Sequence, residues 1–231
     1  METSAREFGS TAQGAPPEGS SVARALLWSL VAVHLGLLLW TVNDHFVSID
    51  SGYHVSLGRY YAEHFAAFWD HINYGPYGRP NLQGPLLHVG IGALGWLFGG
   101  SGDEYVLANS LLSIAQWIAA VFTVAFFSRR LGGDWAALFA VALFTGDFIA
   151  SVSFSMGVPS GWIFVLTPWA VHAFLKEKWL ASALLTSAVI YVHLGGYATA
   201  PLGVFLAAVL TRRWWGLLWV GGLTTLFTAP Y

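Results

Sequence analysis

The sequence predicts an all-α, polytopic transmembrane helical bundle of about seven spans, with juxtamembrane helices in one large exterior loop. Three observations carry that expectation. The chain is 56% hydrophobic and only 10% charged, whereas roughly 25% of residues are charged in a soluble domain. Two runs, 22–42 (VARALLWSLVAVHLGLLLWTV) and 105–127 (YVLANSLLSIAQWIAAVFTVAFF), reach the roughly 20 apolar residues that a span requires. Basic residues gather between apolar runs, at Arg129 and Arg130, Lys176 and Lys178, and Arg212 and Arg213, as expected of a cytoplasmic face.

Composition also excludes some classes of function. A net charge of −2 gives no reason to expect a nucleic-acid partner. With no cysteine there is neither a disulfide framework nor a thiolate metal site. Twelve Trp and nine Tyr suit a protein with several aromatic interfacial belts.

Residues 1–21 are polar and rich in Gly, Pro and Ser without periodicity, the mark of a disordered tail. The apolar run that follows is longer than a signal-peptide core and lacks a small-residue cleavage site, so 22–42 reads as a retained first span. After 105–127, further spans fit 135–154, 160–175, 179–194, 198–211 and 214–231. Segment 85–99 (PLLHVGIGALGWLFG) is the decisive one, being short, Gly-rich and introduced by Pro85. If it crossed the membrane, the three basic clusters would disagree with Arg6 and Arg24 at the N-terminus; lying along the surface, it puts all of them in the cytoplasm. Loop 43–104 is then exterior, and 105–231 forms the rest of the bundle.

That loop collects most of the ionisable groups outside the tail. Segment 51–68 (SGYHVSLGRYYAEHFAAF) has helical periodicity in Tyr53, Leu57, Tyr60, Tyr61 and Phe68. Projected at about 100° per residue, Asp50, His54 and His64 fall on the same aromatic stripe, which should be buried, while Arg59 and Glu63 form an outward (i, i+4) pair. Asp50 sits where an N-cap would, a role compatible with acting as a base or a metal ligand, because a helix N-terminus favours the carboxylate. Either histidine alone also reads as an interfacial imidazole with its own partner. The next stretch, WDHINYGPYGRPNLQGPLLH (69–88), is turn-rich and carries Asp70 and Arg79. Arg79 suits either a phosphate or a lipid headgroup. Asp147, in the outer part of the third span, is either a functional intramembrane acid or one that reaches a water-filled cleft. His193 ends the fifth span, where Gly195, Gly196 and Pro201 permit a broken helix lining a cavity. The chain carries neither HExxH nor GxSxG, so zinc-protease and serine-hydrolase chemistry have no support.

A first span, an exterior loop opening D-x-x-Y-H, an NYGPYG turn, a PLL juxtamembrane helix and a span ending RRLGG together resemble the polytopic C-type glycosyltransferases (the GT-C fold). The first loop is most similar to oligosaccharyltransferase catalytic subunits. The later part (SMGVPSGWIFVLTPWAVHAFLKEKWL and YVHLGGYATAPLGVFLAAVL) is more similar to uncharacterised bacterial and archaeal relatives of these enzymes. The resemblance implies a glycosyltransferase in a prokaryotic plasma membrane, N-terminus cytoplasmic, that moves a sugar from a polyprenyl-phosphate donor to an exterior acceptor. It implies Asp50 as the base or as ligand to a divalent cation such as Mg²⁺ or Mn²⁺. It also implies His54, Arg79 and His193 near the donor phosphate, with Tyr53, Tyr61 and Asp70 in the substrate site. Two departures qualify it. The family's second acidic motif has no counterpart in SFSMGVPSGW, leaving Asp147 as the nearby substitute, and such enzymes continue beyond the equivalent of Tyr231, which implies a longer chain or a partner subunit. A rival expectation is a non-catalytic GT-C-like subunit or lipid-binding scaffold; a solute transporter is weaker, since no inverted repeat is apparent.

Overall fold

The computed structural model describes residues 20–40, 49–65, 69–70, 72, 77, 79–80, 84–147, 158–193 and 195–229. Most of the predicted tail, much of the turn-rich segment and residues 148–157 lie outside them. The described chain is almost wholly helical: α1 Ser20–Trp40, α2 Ile49–His64, α3 Pro85–Phe98, α4 Gly102–Gly146, α5 Pro159–Leu175, α6 Trp179–Val192, α7 Gly196–Thr211 and α8 Trp214–Thr228. Between α2 and α3, Trp69–Asp70 (β1) and Arg79–Pro80 (β2) form a minimal antiparallel ladder that pairs Asp70 with Arg79.

Two helices, α1 and α4, are long and apolar enough to cross a membrane. Only 11% of the most apolar window of α1 is buried, and Val33 and Leu37 are each 61% exposed. A soluble core helix would hide those side chains; their exposure together with the length of α1 is compatible with a membrane span. Helix α4 is two arms joined at Gly132 and Gly133, both with non-helical backbone angles and the second at φ 76°. The chain there folds back, so that Trp117 and Val121 of the first arm and Ala137 and Val141 of the second share one core with Leu27 of α1. A second core joins α5 through α8, with Phe174, Ala183, Val204 and Val220 at its centre.

Ion pairs fix which helix ends lie together. Asp134 binds Arg24 of α1 (3.3 Å) and Arg129 (2.7 Å), tying the start of α1 to the turn inside α4. Trp169 Nε1 of α5 donates to Thr123 Oγ1 (2.9 Å), and the rings of Trp169 and His172 pack on Phe126 and Phe127. At the turn after α5, Glu177 pairs with Arg213 (3.1 Å). The basic clusters therefore mark one end of the bundle.

The opposite end is built by α2 and α3 against the start of α4. Leu87, Ile91, Tyr105 and Ala108 form the core there, with Val55 and Ala62 of α2 packed against it. The two short helices cross closely, since a Cβ on Gly92 would stand 2.6 Å from the Gly58 carbonyl oxygen. Helix α2 ends earlier than the periodicity predicts: Phe65 takes a left-handed φ of 65° and is 94% exposed.

Candidate functional site

Helix α2 begins with a carboxylate in its first turn, Asp50, where the partial positive charge of the helix N-terminus favours it. The buried face of α2 consists of Ser51, His54, Leu57 and Gly58. Helix α3 starts at Pro85, whose fixed φ suits the first helical position. One turn later it turns His88 inward, completely buried, against His54, which is 5% exposed.

The two imidazoles meet directly. His54 Nδ1 lies 2.8 Å from His88 Nε2, and His88 Nδ1 lies 3.0 Å from the Gly84 carbonyl oxygen. Tyr53 packs at a tilt on His54 (5.4 Å between centroids) and edge-on to His88 (6.3 Å), while Tyr61 stacks on His88 at 6.1 Å. This apolar and aromatic casing disfavours the imidazolium. Burial pushes His54 down to about 4, against a smaller upward pull from the Asp50 carboxylate and with a further push down from His193. Burial, helped by repulsion from His54, pushes His88 down to about 3 although the Gly84 carbonyl opposes it. Both are neutral at pH 7.

His193 reaches the same place from the other side of the bundle. Helix α6 ends at Val192, and His193 follows in extended backbone conformation. Its Nδ1 accepts from the Gly195 N–H (2.9 Å) and its carbonyl from the Gly196 N–H (2.8 Å), so the turn into α7 holds the ring. Gly84 lies against the Tyr191 and Val192 backbone, which brings the start of α3 onto the end of α6. An apolar cavity of about 360 Å³ adjoins this junction, lined by Leu87, Gly90, Leu112, Trp162, Leu166 and Val192 among others. Leu87 and Val192 are the chain neighbours of His88 and His193.

Asp50, Tyr53, His54, Tyr61 and His193 thus gather at one end of the bundle. The burial expected on the aromatic stripe holds for His54 and fails for two others. Asp50 stands in the first turn of α2 and not before it, and it is exposed. His64 is exposed, stacked on Tyr60 at 4.2 Å with its Nδ1 3.2 Å from the Tyr60 carbonyl oxygen. The outward pair is as expected, Arg59 Nε donating to Glu63 at 2.7 Å. Asp147 is not inside a helix but caps the C-terminus of α4, its N–H donating to the Leu143 carbonyl (2.9 Å), and it is exposed. Of Asp70 and Arg79 only the backbone lies within the described residues. Among the described residues no group of three or more His, Asp or Glu converges on one point. His88 carries no role in the sequence reading; the signal for it is a titratable residue in the apolar face of α3, one position after Leu87 and three before Ile91.

Comparison with protein-family models, with curated proteins and with solved structures finds no match for the chain.

Proposed function

We propose that the protein is a polytopic membrane glycosyltransferase of GT-C type that takes a sugar from a polyprenyl-phosphate donor and passes it to an acceptor hydroxyl at the exterior face. One observation carries the reading: the apolar cavity lies beside the histidine cluster, since two of its lining residues, Leu87 and Val192, are the chain neighbours of His88 and His193. An apolar slot with titratable groups on the neighbouring elements suits an amphiphile with a hydrocarbon tail and a charged head. In the reaction the acceptor oxygen bonds to the anomeric carbon, the bond from that carbon to the phosphate oxygen breaks, and its electron pair leaves with the polyprenyl phosphate. The acceptor proton passes to Asp50, an exposed carboxylate at a helix N-terminus. Growing charge on the phosphate is met by His193 and Arg79, and Tyr53 and Tyr61 supply the aromatic wall for the sugar.

Native mass spectrometry of the detergent-purified protein should find a polyprenyl lipid bound. Asp50→Asn, in membranes supplied with a polyprenyl-phosphate-linked sugar, should lower transfer by on the order of 10²–10⁴-fold. Bound lipid with no dependence of transfer on Asp50 would favour the lipid-binding scaffold instead.

The reading includes about seven spans with the N-terminus in the cytoplasm of a prokaryote. The clustering of Arg24, Arg129 and Arg213 at the end of the bundle opposite α2 and α3 supports it. Because the chain has no cysteine, single introduced thiols test it cleanly. A membrane-impermeant maleimide applied to intact cells should modify Gly102→Cys and leave Lys178→Cys unmodified; the reverse pattern excludes an exterior site.

A further inference from the structure

The sequence reading assigns His54 to the donor phosphate, and hydrogen-bond polarity argues otherwise. A carbonyl oxygen only accepts, so the atom of His88 that faces Gly84, Nδ1, carries the proton. His88 is neutral in its completely buried setting, which leaves Nε2 as a lone pair. The nitrogen that faces this lone pair, His54 Nδ1 at 2.8 Å, must then be the donor. Reversing the pair would set the His88 Nδ1 lone pair against the carbonyl lone pairs at 3.0 Å. With its proton on Nδ1, neutral His54 has an unprotonated Nε2, which a phosphate oxygen would repel and a hydroxyl would seek. His193 has the opposite polarity. Its Nδ1 accepts from the Gly195 N–H, so Nε2 is the protonated nitrogen and can donate to a phosphate oxygen.

We propose that His88, anchored on the Gly84 carbonyl, is a positioning residue that fixes His54 as the Nδ1–H tautomer, so that His54 Nε2 takes a hydrogen bond from the acceptor hydroxyl while His193 donates to the phosphate. The tautomers follow from the geometry and from the burial that keeps the pair neutral; only the identity of the hydroxyl and the phosphate rests on the glycosyl-transfer reading. His54 and Asp50, one helical turn apart, then both bear on the acceptor, and the donor headgroup lies on the His193 side.

The test is histidine-selective ¹⁵N NMR of the full chain in nanodiscs at pH 7, with the His54 signals identified by their loss in His54→Gln. The expected spectrum has a protonated Nδ1 and an unprotonated Nε2 at His54, and the reverse at His193. His88→Gln keeps the His54 pattern, because the glutamine carbonyl accepts the same proton; His88→Leu removes the acceptor and gives a mixture of tautomers. In the transfer assay, kcat should differ by on the order of 10²-fold between these two variants, with KM for the donor little changed. A wild-type His54 protonated at Nε2 overturns the proposal, as does an unchanged tautomer in His88→Leu. If that variant does not fold, the wild-type and His88→Gln spectra still decide. The assigned tautomers with no sugar transfer in any membrane would leave the positioning role of His88 standing and remove the glycosyltransferase reading.

Discussion

Lowering the pH from 7 to 5 should cost the folded protein about 4 kcal/mol of stability, through His54 and His88. In the unfolded chain both imidazoles titrate near 6.5; folded, they are held at about 4 and about 3. Between these limits the unfolded state binds more protons than the folded one, so stability is fully present above pH 6.5 and is lost as the pH falls. Each histidine contributes a slope of about 1.4 kcal/mol per pH unit, and about one and a half units separate 6.5 from 5. Solvent screening does little to reduce this, since both side chains are almost completely buried. The groups that face the pair act in different directions. Asp50 favours the His54 imidazolium and His193 opposes it, while His54 opposes the charge on His88. Protonating His88 at Nε2 would also end its acceptance of the His54 hydrogen bond. Thermal unfolding in detergent across this pH range measures the effect, and His88→Gln should remove about half of the slope. A midpoint that does not move between pH 7 and 5 would contradict a buried neutral pair.

What was legible in the sequence was local. The pair Arg59–Glu63 is an (i, i+4) contact on one helix face, which spacing alone determines, and it forms at 2.7 Å. Helix starts at Pro85 and Pro159 and the break at Gly132 and Gly133 follow from backbone chemistry that each residue carries with it. The surface placement of 85–99 is read from charge bias alone; α3 packs beside α2 and α4 at the end away from the basic clusters, and whether that end lies at a membrane surface is a separate question of topology. The site was only half legible because its contacts are distant in sequence. His54 meets a partner 34 residues away, and His193 comes from another helix pair altogether. Helical projection ranks faces and is blind to ends. Asp50 projects onto the same arc as His54, yet it stands in the first turn of α2 and is exposed. Asp147 looked like an acid inside a span because the apolar run continues past it; the helix stops at Gly146, and the carboxylate stands beyond the end.

Gly84→Ala should damage the site at the point where α3 meets α6. The φ of −58° and ψ of 130° at Gly84 suit alanine, so the backbone conformation is not the obstacle. Space is the obstacle: a Cβ there would stand 2.3 Å from the Tyr191 carbonyl oxygen and 2.5 Å from the Val192 carbonyl carbon. Both are backbone atoms at the end of α6, where a side chain cannot simply rotate away. Relief requires the start of α3 to separate from α6, at a cost of about 1–3 kcal/mol or more. The same movement displaces the carbonyl on which His88 is anchored and draws Leu87 and His88 away from Val192 and His193, so it disturbs both the cavity lining and the histidine cluster. Gly222→Ala is the control, since a Cβ there meets nothing within 4 Å and alanine is the better helix former. Gly84→Ala should therefore lower the thermal midpoint while Gly222→Ala holds or raises it. The retained polyprenyl lipid should fall in the first variant alone. Equal midpoints would mean that α3 and α6 do not approach this closely, and the convergence of His54 and His193 would then lose its structural basis. Loss of lipid at an unchanged midpoint would place the effect in the cavity wall and not in the stability of the fold.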